Sequence, residues 1–266
     1  MKISLVSISF NQVDYLRYCI DSVVSQNYGD LEYILVDPGS IDGSRELIDE
    51  YQNLLTKKIF SADKGPADGL NKGFALATGE IFGFLNSDDI LMPGSLEQIA
   101  GFFERNPEID VVSGHSFIIN GEGRILRRCF SETFSLPMFA HNSCILMQPS
   151  TFFRSRAFRL SPGFNVLNRT NWDGEFFAEL ALAGARFALI DSFLSGYRLH
   201  PSSITSSMKL HSGMKDYQKK LFRKIMGRDR KLYDVPVGVF LRLYKHVRSP
   251  RGLLERIIKG PIYGRS

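Results

Sequence analysis

With 266 residues, 44% of them hydrophobic and 23% charged, the chain has the make-up of an ordinary globular protein, long enough for one large core or for a domain with an appended segment. No run approaches the ~20 apolar residues of a membrane-spanning helix, the opening MKISLVSISF lacks a leader's cleavage site, and Cys19, Cys129 and Cys144 are too scattered for a disulfide frame or a zinc site. The net charge of +5 is uneven: residues 205–266 hold sixteen Lys/Arg against four Asp/Glu, a net of +12 that leaves −7 for the rest, and an acidic body argues against nucleic acid as a partner.

ISLVSISF reads as a buried strand, and Asn11 to Asp14 as the turn into a helix whose Leu16, Cys19, Ile20, Val23 and Val24 recur at helical spacing. LEYILVD is a second strand ending on Asp37, followed by the turn PGSIDGS. A helix over Arg45 to Leu55, a short strand KKIF, the polar loop SADKGPADG and a helix from Leu70 to Ala77 come next. EIFGFL is a strand, Asp88 and Asp89 follow it, and Pro93 opens a helix to Phe103 before the strand IDVVSG. Strand and helix thus alternate through the first 115 residues, which predicts an α/β fold with a mainly parallel central sheet and helices on both faces.

After Gly114 the pattern changes. HSFIIN, GEG and RILRRCF read as a hairpin, and CILMQPSTFFR as two strand-like runs across Pro149. NWDGEFFAELALAG is a helix with Asp173 and Glu175 in its first turn, and RFALID and FLSGYRLH are two short strands. From Ser206 onward the segment is basic and helical, with breaks at Gly227, Pro236 and Pro250.

In a sheet of this kind ligands gather at the carboxyl ends of the strands. Four polar clusters fall there: Ser9 to Asn11, Asp37 to Asp42, Asp63 to Asp68 and Asn86 to Asp89. The last sets two carboxylates side by side after a buried run. Like charges repel and each resists desolvation, so the pair points to a cation. Mg2+ or Mn2+ suits it, because these ions take carboxylate and phosphate oxygens with few protein ligands. A helix-entry loop capped by Ser87 or Asp88 accounts for the same residues. Asp37 can accept a bond from a ribose hydroxyl or base N–H, or cap the PGSIDGS turn. Asp68, Asn71 and Lys72 share a helical face beside Lys64, where they meet either a ligand's phosphates or water.

Taken in order, SISFNQVDYLRYCIDSVVSQNYGDLEYILVDPGSIDGS, DKGPADGLNKGFALATGEIFGFLNSDD and MQPSTFFR resemble the family 2 inverting glycosyltransferases of the GT-A fold. The resemblance implies a GT-A-type nucleotide-binding catalytic domain over residues 1–205, with residues 206–266 as a basic helical extension. It implies transfer of a sugar from a nucleoside-diphosphate sugar to a hydroxyl of a glycan or lipid-linked glycan, with Mn2+ or Mg2+. The family's D-x-D-type motif falls on Asn86-Ser87-Asp88-Asp89: Asp89 would hold the metal and Asp88 reach the ribose or the metal shell. Nucleotide contacts fall on Ser9, Asn11 and Asp37, with Pro38 where relatives often carry a second Asp; Lys64, Asp68 and Asn71 are expected on the donor side. Asp173, after Trp172, matches the base that takes the acceptor's proton, and His200 of YRLHPSSIT matches a late histidine reaching the metal or diphosphate. Cell-surface polysaccharide or lipopolysaccharide assembly is the setting the resemblance suggests.

YQKKLFRKI and VFLRLYKHVRSPRGLLERIIKG mix apolar and basic residues at helical spacing, as do helices that lie on an anionic membrane surface from the cytoplasmic side. A homo-oligomeric helix pair, or a helix packed on the domain with its basic face in water, fits the same pattern. A nucleotidylyltransferase would want a glycine-rich basic loop after the first strand and a dehydrogenase G-x-G-x-x-G; SFNQVDY offers neither. The remaining alternative is a non-catalytic glycan or sugar-nucleotide binding protein on a degenerate transferase fold, against which the intact Asp88, Asp89 and Asp173 argue.

Overall fold

The computed structural model describes residues 1–201 and 211–260, with the backbone alone for 211–215. The first half runs β1 (Ile3–Ile8), α1 (Val13–Val24), β2 (Leu31–Asp37), α2 (Ser44–Glu50), β3 (Lys57–Phe60), α3 (Pro66–Ala75), β4 (Ile81–Asn86), β5 (Ile90–Leu91), α4 (Ser95–Arg105) and β6 (Val111–Ile119). Then come β7 (Ile125–Cys129), α5 (Leu136–Ala140), β8 (Thr151–Arg154), α6 (Ser155–Arg159), α7 (Trp172–Leu182) and β9 (Phe187–Arg198). Three helices close the chain: α8 (His211–Met226), α9 (Asp234–Arg248) and α10 (Pro250–Lys259).

The strands form one sheet in the order β3-β2-β1-β4-β8-β6-β9-β5, with β7 beside β6. Strands β1, β2, β3, β4, β6 and β9 run the same way, so the expected mainly parallel sheet is present; β5, β7 and β8 run against them. Side-chain alternation splits the core into two layers. Ile3 and Leu5 face one cluster with Leu16 and Ile20 of α1, Leu47 of α2 and Ile99 of α4. Val6, Ile34 and Phe84 face the other, with Leu70 and Phe74 of α3 and Phe176 of α7. Close approach is required at Gly73, where a Cβ would stand 2.5 Å from Val6, and at Gly83, where it would stand 2.3 Å from the Phe152 ring.

Several elements differ from the sequence expectation. Helix α2 stops at Glu50, and α3 starts at Pro66 because a proline presets the first helical turn. Strand β6 runs unbroken through Gly114, and β9 is one 12-residue strand where two short ones were expected. Pairing of β9 with β6 across two register shifts carries the chain past Ser192. Of CILMQPSTFFR only Thr151–Arg154 is strand, preceded by a single turn over Gln148–Ser150.

The C-terminal helices pack back on the body. Phe222 is buried, Arg230 Nη2 donates to the Ala140 carbonyl at 3.2 Å, and Glu255 accepts the Arg128 main-chain N–H at 2.8 Å. The break at Gly227 falls between α8 and α9, Pro236 sits in the first turn of α9, and Pro250 opens α10. The expected domain boundary at 205/206 lies outside the described residues. Among the described residues no helix is long and apolar enough to cross a membrane.

Candidate active site

At the carboxyl ends of the parallel strands lies a cleft of about 670 Å³, within the range of small-ligand pockets. All four polar clusters reach it, through Ser9, Pro38, Asp63 to Pro66, and Asn86 to Asp88; Arg169, Trp172 and Tyr197 complete the wall.

The paired aspartates divide their positions in the opposite sense to the sequence expectation. Asp88 lines the cleft, whereas Asp89, expected to hold the metal, is 1% exposed and lies behind it. Asp89 turns inward because its Oδ1 accepts the Arg198 main-chain N–H at 2.8 Å. Its Oδ2 is buried with no hydrogen-bond partner among the described residues. Burial, and then the charge of Asp88, push the Asp89 carboxyl well above its usual range. Asp88 Oδ2 lies 3.0 Å from His200 Nε2, and the His200 ring packs 4.4 Å from that of Tyr15.

These residues suit a hard divalent cation. Asp88 and His200 bring an oxygen and a nitrogen to one point at the cleft wall, and the orphaned Asp89 oxygen stands behind them. Among the described residues no three His, Cys, Asp or Glu side chains form a ready-made cage, so a bound phosphate would have to complete the coordination.

The part played by Arg198 carries no sequence signal beyond its nearness to His200. It is 2% exposed, and its guanidinium donates to the carbonyls of Asp88 at 2.7 Å and of Asn120 and Gly121 at 2.9 Å. It also packs over the Tyr15 ring at 5.1 Å. One buried cation therefore joins the Asp turn to the end of β6.

On the expected nucleotide side, only Ser9 has its hydroxyl at the cleft wall, buried and without a partner among the described residues. Asp37 is fully buried and serves the turn: Oδ1 accepts from Gly39 N at 2.9 Å, Ser40 N at 2.8 Å and Arg45 Nε at 3.0 Å. Its Oδ2 accepts the Ser40 hydroxyl at 2.5 Å. Asn11, at φ 51°, accepts from Ile41 N at 3.0 Å and donates its own N–H to Ser40 Oγ at 2.8 Å. Both hold the ends of β1 and β2 together, and neither lines the cleft.

Lys64 lines the cleft, while Asp68 and Asn71 lie away from it. Asp68 caps its own loop, accepting from Lys64 N at 2.9 Å beside Lys72 Nζ at 3.5 Å. Asn71 clamps the far wall: Nδ2 donates to the Phe164 carbonyl at 2.8 Å and Oδ1 accepts the Phe164 N–H at 2.9 Å. Sequence reasoning did not single out Asp63, whose carboxyl burial pushes up, or Arg169. Arg169 lies against Gly65, where a Cβ would stand 3.0 Å from its guanidinium and where φ is +116°. The run DKGPADG signals the loop; nothing local signals Arg169.

Asp173 opens α7, held by Trp172, whose ring packs 5.6 Å from Phe84 and 5.7 Å from Phe164. Its Oδ1 accepts the Gly174 N–H at 2.8 Å, and Oδ2 accepts no bond among the described residues. Burial raises its pKa. Glu175, two residues on, is engaged by Asn165 at 3.1 Å and Asn168 at 2.7 Å. Of the two carboxylates only Asp173 keeps an oxygen available, one residue from the cleft wall.

Comparison with known proteins finds a family and a shared fold. The model of glycosyl transferase family 2 matches residues 4–161. An uncharacterized glycosyltransferase of Nostoc sp. is 37% identical over 135 residues, which are 50% of this chain and 42% of that protein, so the chain spans less than half of that relative's length. S. aureus TarS 1–349, solved in complex with UDP-GlcNAc, shares the fold with a TM-score of 0.68 at 17% identity, over 97% of this chain and 73% of TarS. The mannosyltransferase PcManGT of Pyrobaculum calidifontis, solved with GDP-Man and Mn2+, gives 0.65 at 16% identity over 97% and 73%.

Proposed function

Since the chain belongs to glycosyl transferase family 2, we propose that it transfers a sugar from a nucleoside-diphosphate sugar to an acceptor hydroxyl, with inversion at the anomeric carbon. The observation that carries this reading is the cleft with Asp88 beside His200 on one wall and Asp173, one oxygen unengaged, next to Trp172 on the other.

In this reading Asp173 Oδ2 takes the proton of the acceptor hydroxyl as its oxygen attacks the anomeric carbon. Its raised pKa makes it a stronger base than a solvated carboxylate. Lys64 and Arg169 draw the diphosphate toward the Asp88 wall, and the Ser9 hydroxyl is placed to meet the nucleotide. Asp88 and His200 would hold Mn2+ or Mg2+, which when bound offsets charge on the departing diphosphate. Asp89 takes the supporting place behind Asp88. The solved UDP-GlcNAc complex of TarS and the GDP-Man and Mn2+ complex of PcManGT support a nucleotide-sugar donor and a divalent cation here.

Residues 1–205 form the catalytic unit in this reading and residues 206–266 an extension. The acceptor is a glycan or lipid-linked glycan in polysaccharide assembly, met peripherally at the cytoplasmic face of an anionic membrane.

Calorimetric titration with UDP, GDP, UDP-GlcNAc and GDP-Man, in Mn2+ and in EDTA, tests the reading. The expected result is metal-dependent binding of one nucleotide, lost in Asp88→Ala and kept in Asp173→Asn. Absence of nucleotide binding under every metal condition would leave the glycan-binding alternative.

A further inference from the structure

We propose that α9 and α10 dock on an anionic bilayer with a lipid phosphate headgroup seated in a cavity between these helices and β7. The proposal rests on the peripheral membrane setting given above, and stands apart from the sugar-transfer chemistry.

The cavity measures about 320 Å³ and is separate from the cleft. Arg127 and Arg128 of β7, Lys245 of α9 and Arg256 of α10 line it, against one carboxylate, Glu132. Glu132 is already engaged, 3.7 Å from Lys245 and accepting the Ile145 N–H. Arg127 Nε is buried without a hydrogen-bond partner among the described residues. Among the described residues the side chains of Arg128 and Arg256 form no ion pair either. A phosphate oxygen is the acceptor this donor set lacks, since guanidinium groups match phosphate geometry.

Among the described residues, these two helices and the turn before them carry many exposed apolar side chains. Twelve large hydrophobic residues between Leu232 and Ile258 are exposed, against ten in all the other described residues. Phe240, Leu243 and Val247 recur on one face of α9, at 65%, 61% and 80% exposure, and Ile257 of α10 is 71% exposed. Six Lys/Arg lie between Asp234 and Lys259; Lys245 and Arg251 face Glu132 and Asp191, which leaves four, while the two acids, Asp234 and Glu255, already face Arg228 and the Arg128 backbone.

This charge decides the occupant. A second copy of the chain would set cations against cations, with both acids spent. An anionic lipid surface complements the cations while its acyl region takes the apolar side chains.

Flotation of the full chain with phosphatidylcholine vesicles, with and without phosphatidylglycerol, tests the proposal. Binding is expected only with phosphatidylglycerol and to weaken with salt. The pair Arg128→Gln and Arg256→Gln should weaken it about 25-fold, from about fivefold per cation. The control pair Lys219→Gln and Lys220→Gln on α8 should weaken it far less, and Leu243→Ser with Val247→Ser should abolish it. Donor titration should be unchanged in every variant, which keeps failure here distinct from failure of the transferase reading. The proposal is overturned by equal binding to both vesicle types, by equal losses in the two charge pairs, or by inorganic phosphate binding without vesicle binding. A dimer in sedimentation that Leu243→Ser with Val247→Ser disperses would assign the face to a second copy and overturn it too.

Discussion

The Asp89 carboxylate accepts the Arg198 main-chain N–H at 2.8 Å, while the Arg198 guanidinium donates to the Asp88 carbonyl at 2.7 Å. The two residues thus lock the turn after β4 to the end of β9 from both sides. Asp88 is aimed at the cleft because its neighbour is pinned behind it.

Replacing Arg198 by Met should leave the carbonyls of Asp88 and Gly121 without their donor, while that of Asn120 keeps the Gly123 N–H at 3.0 Å. At about 1–3 kcal/mol for each unsatisfied buried group, incompletely additive, a loss of about 2–4 kcal/mol is expected in urea unfolding. Arg198→Lys should recover only part of it, because one ammonium cannot span three acceptors. A loss under 1 kcal/mol in Arg198→Met would contradict this account.

Asp173→Asn should lower kcat by about 10²- to 10⁴-fold and leave the donor Kd unchanged. As the proposed base Asp173 works only when deprotonated, and burial raises its pKa. The acid limb of kcat/KM should therefore lie above the ordinary Asp value of about 4. A limb at or below that value would show that Asp173 is not the titrating base.

Asn71→Ala removes both hydrogen bonds to the Phe164 backbone and leaves two peptide groups seeking water. A stability loss of about 1–2 kcal/mol is expected. Because the segment beyond Phe164 carries Arg169 to the cleft wall, the donor KM should rise with it. A stability loss with an unchanged KM would mean that the wall keeps its position without the clamp.

Glu132 sits against Lys245 with its carboxyl pushed up to about 7, burial being the main cause. A carboxyl with a raised folded-state pKa favours the folded chain most below its unfolded value, near 4.5. That advantage disappears as pH rises toward 7. Melting curves of Glu132→Gln and the parent should therefore diverge between pH 5 and pH 8, with the Gln variant gaining relative stability, by at most about 3 kcal/mol. A constant difference across that range would show that Glu132 titrates normally.

The sequence made the architecture legible where burial repeats with a period. The alternation of β1 to β4 with their helices is visible because Ile3, Leu5 and Val6 serve two opposite layers. Two residues of β5 are too few to show any period, and the apolar run of Cys144 to Met147 is irregular although its composition reads as strand. At the site, residue type reported a polar cluster but not the direction of each side chain. Asp88 and Asp89 are chemically identical, and only the distant Arg198 N–H decides which one turns inward. Asp37 and Asn11 were legible as polar strand ends, yet the turn they close takes up their hydrogen bonds. Arg169 stands alone in its loop and reaches the cleft through tertiary packing against Gly65.

Strand β9 meets α10 near its middle and the Asp turn at its end. Arg251 of α10 grips it at Asp191 at 2.8 Å, and seven residues later Arg198 fastens the Asp turn. At about 3.3 Å per residue these attachments stand less than about 23 Å apart, because the register of β9 against β6 shifts at Asp191 and again before Ser195. The grip of α10 on β9 is an exposed ion pair at the bulged stretch around Asp191, and the β6 ladder resumes at Phe193. The last helix is thus anchored to a member that already spans the distance to the cleft.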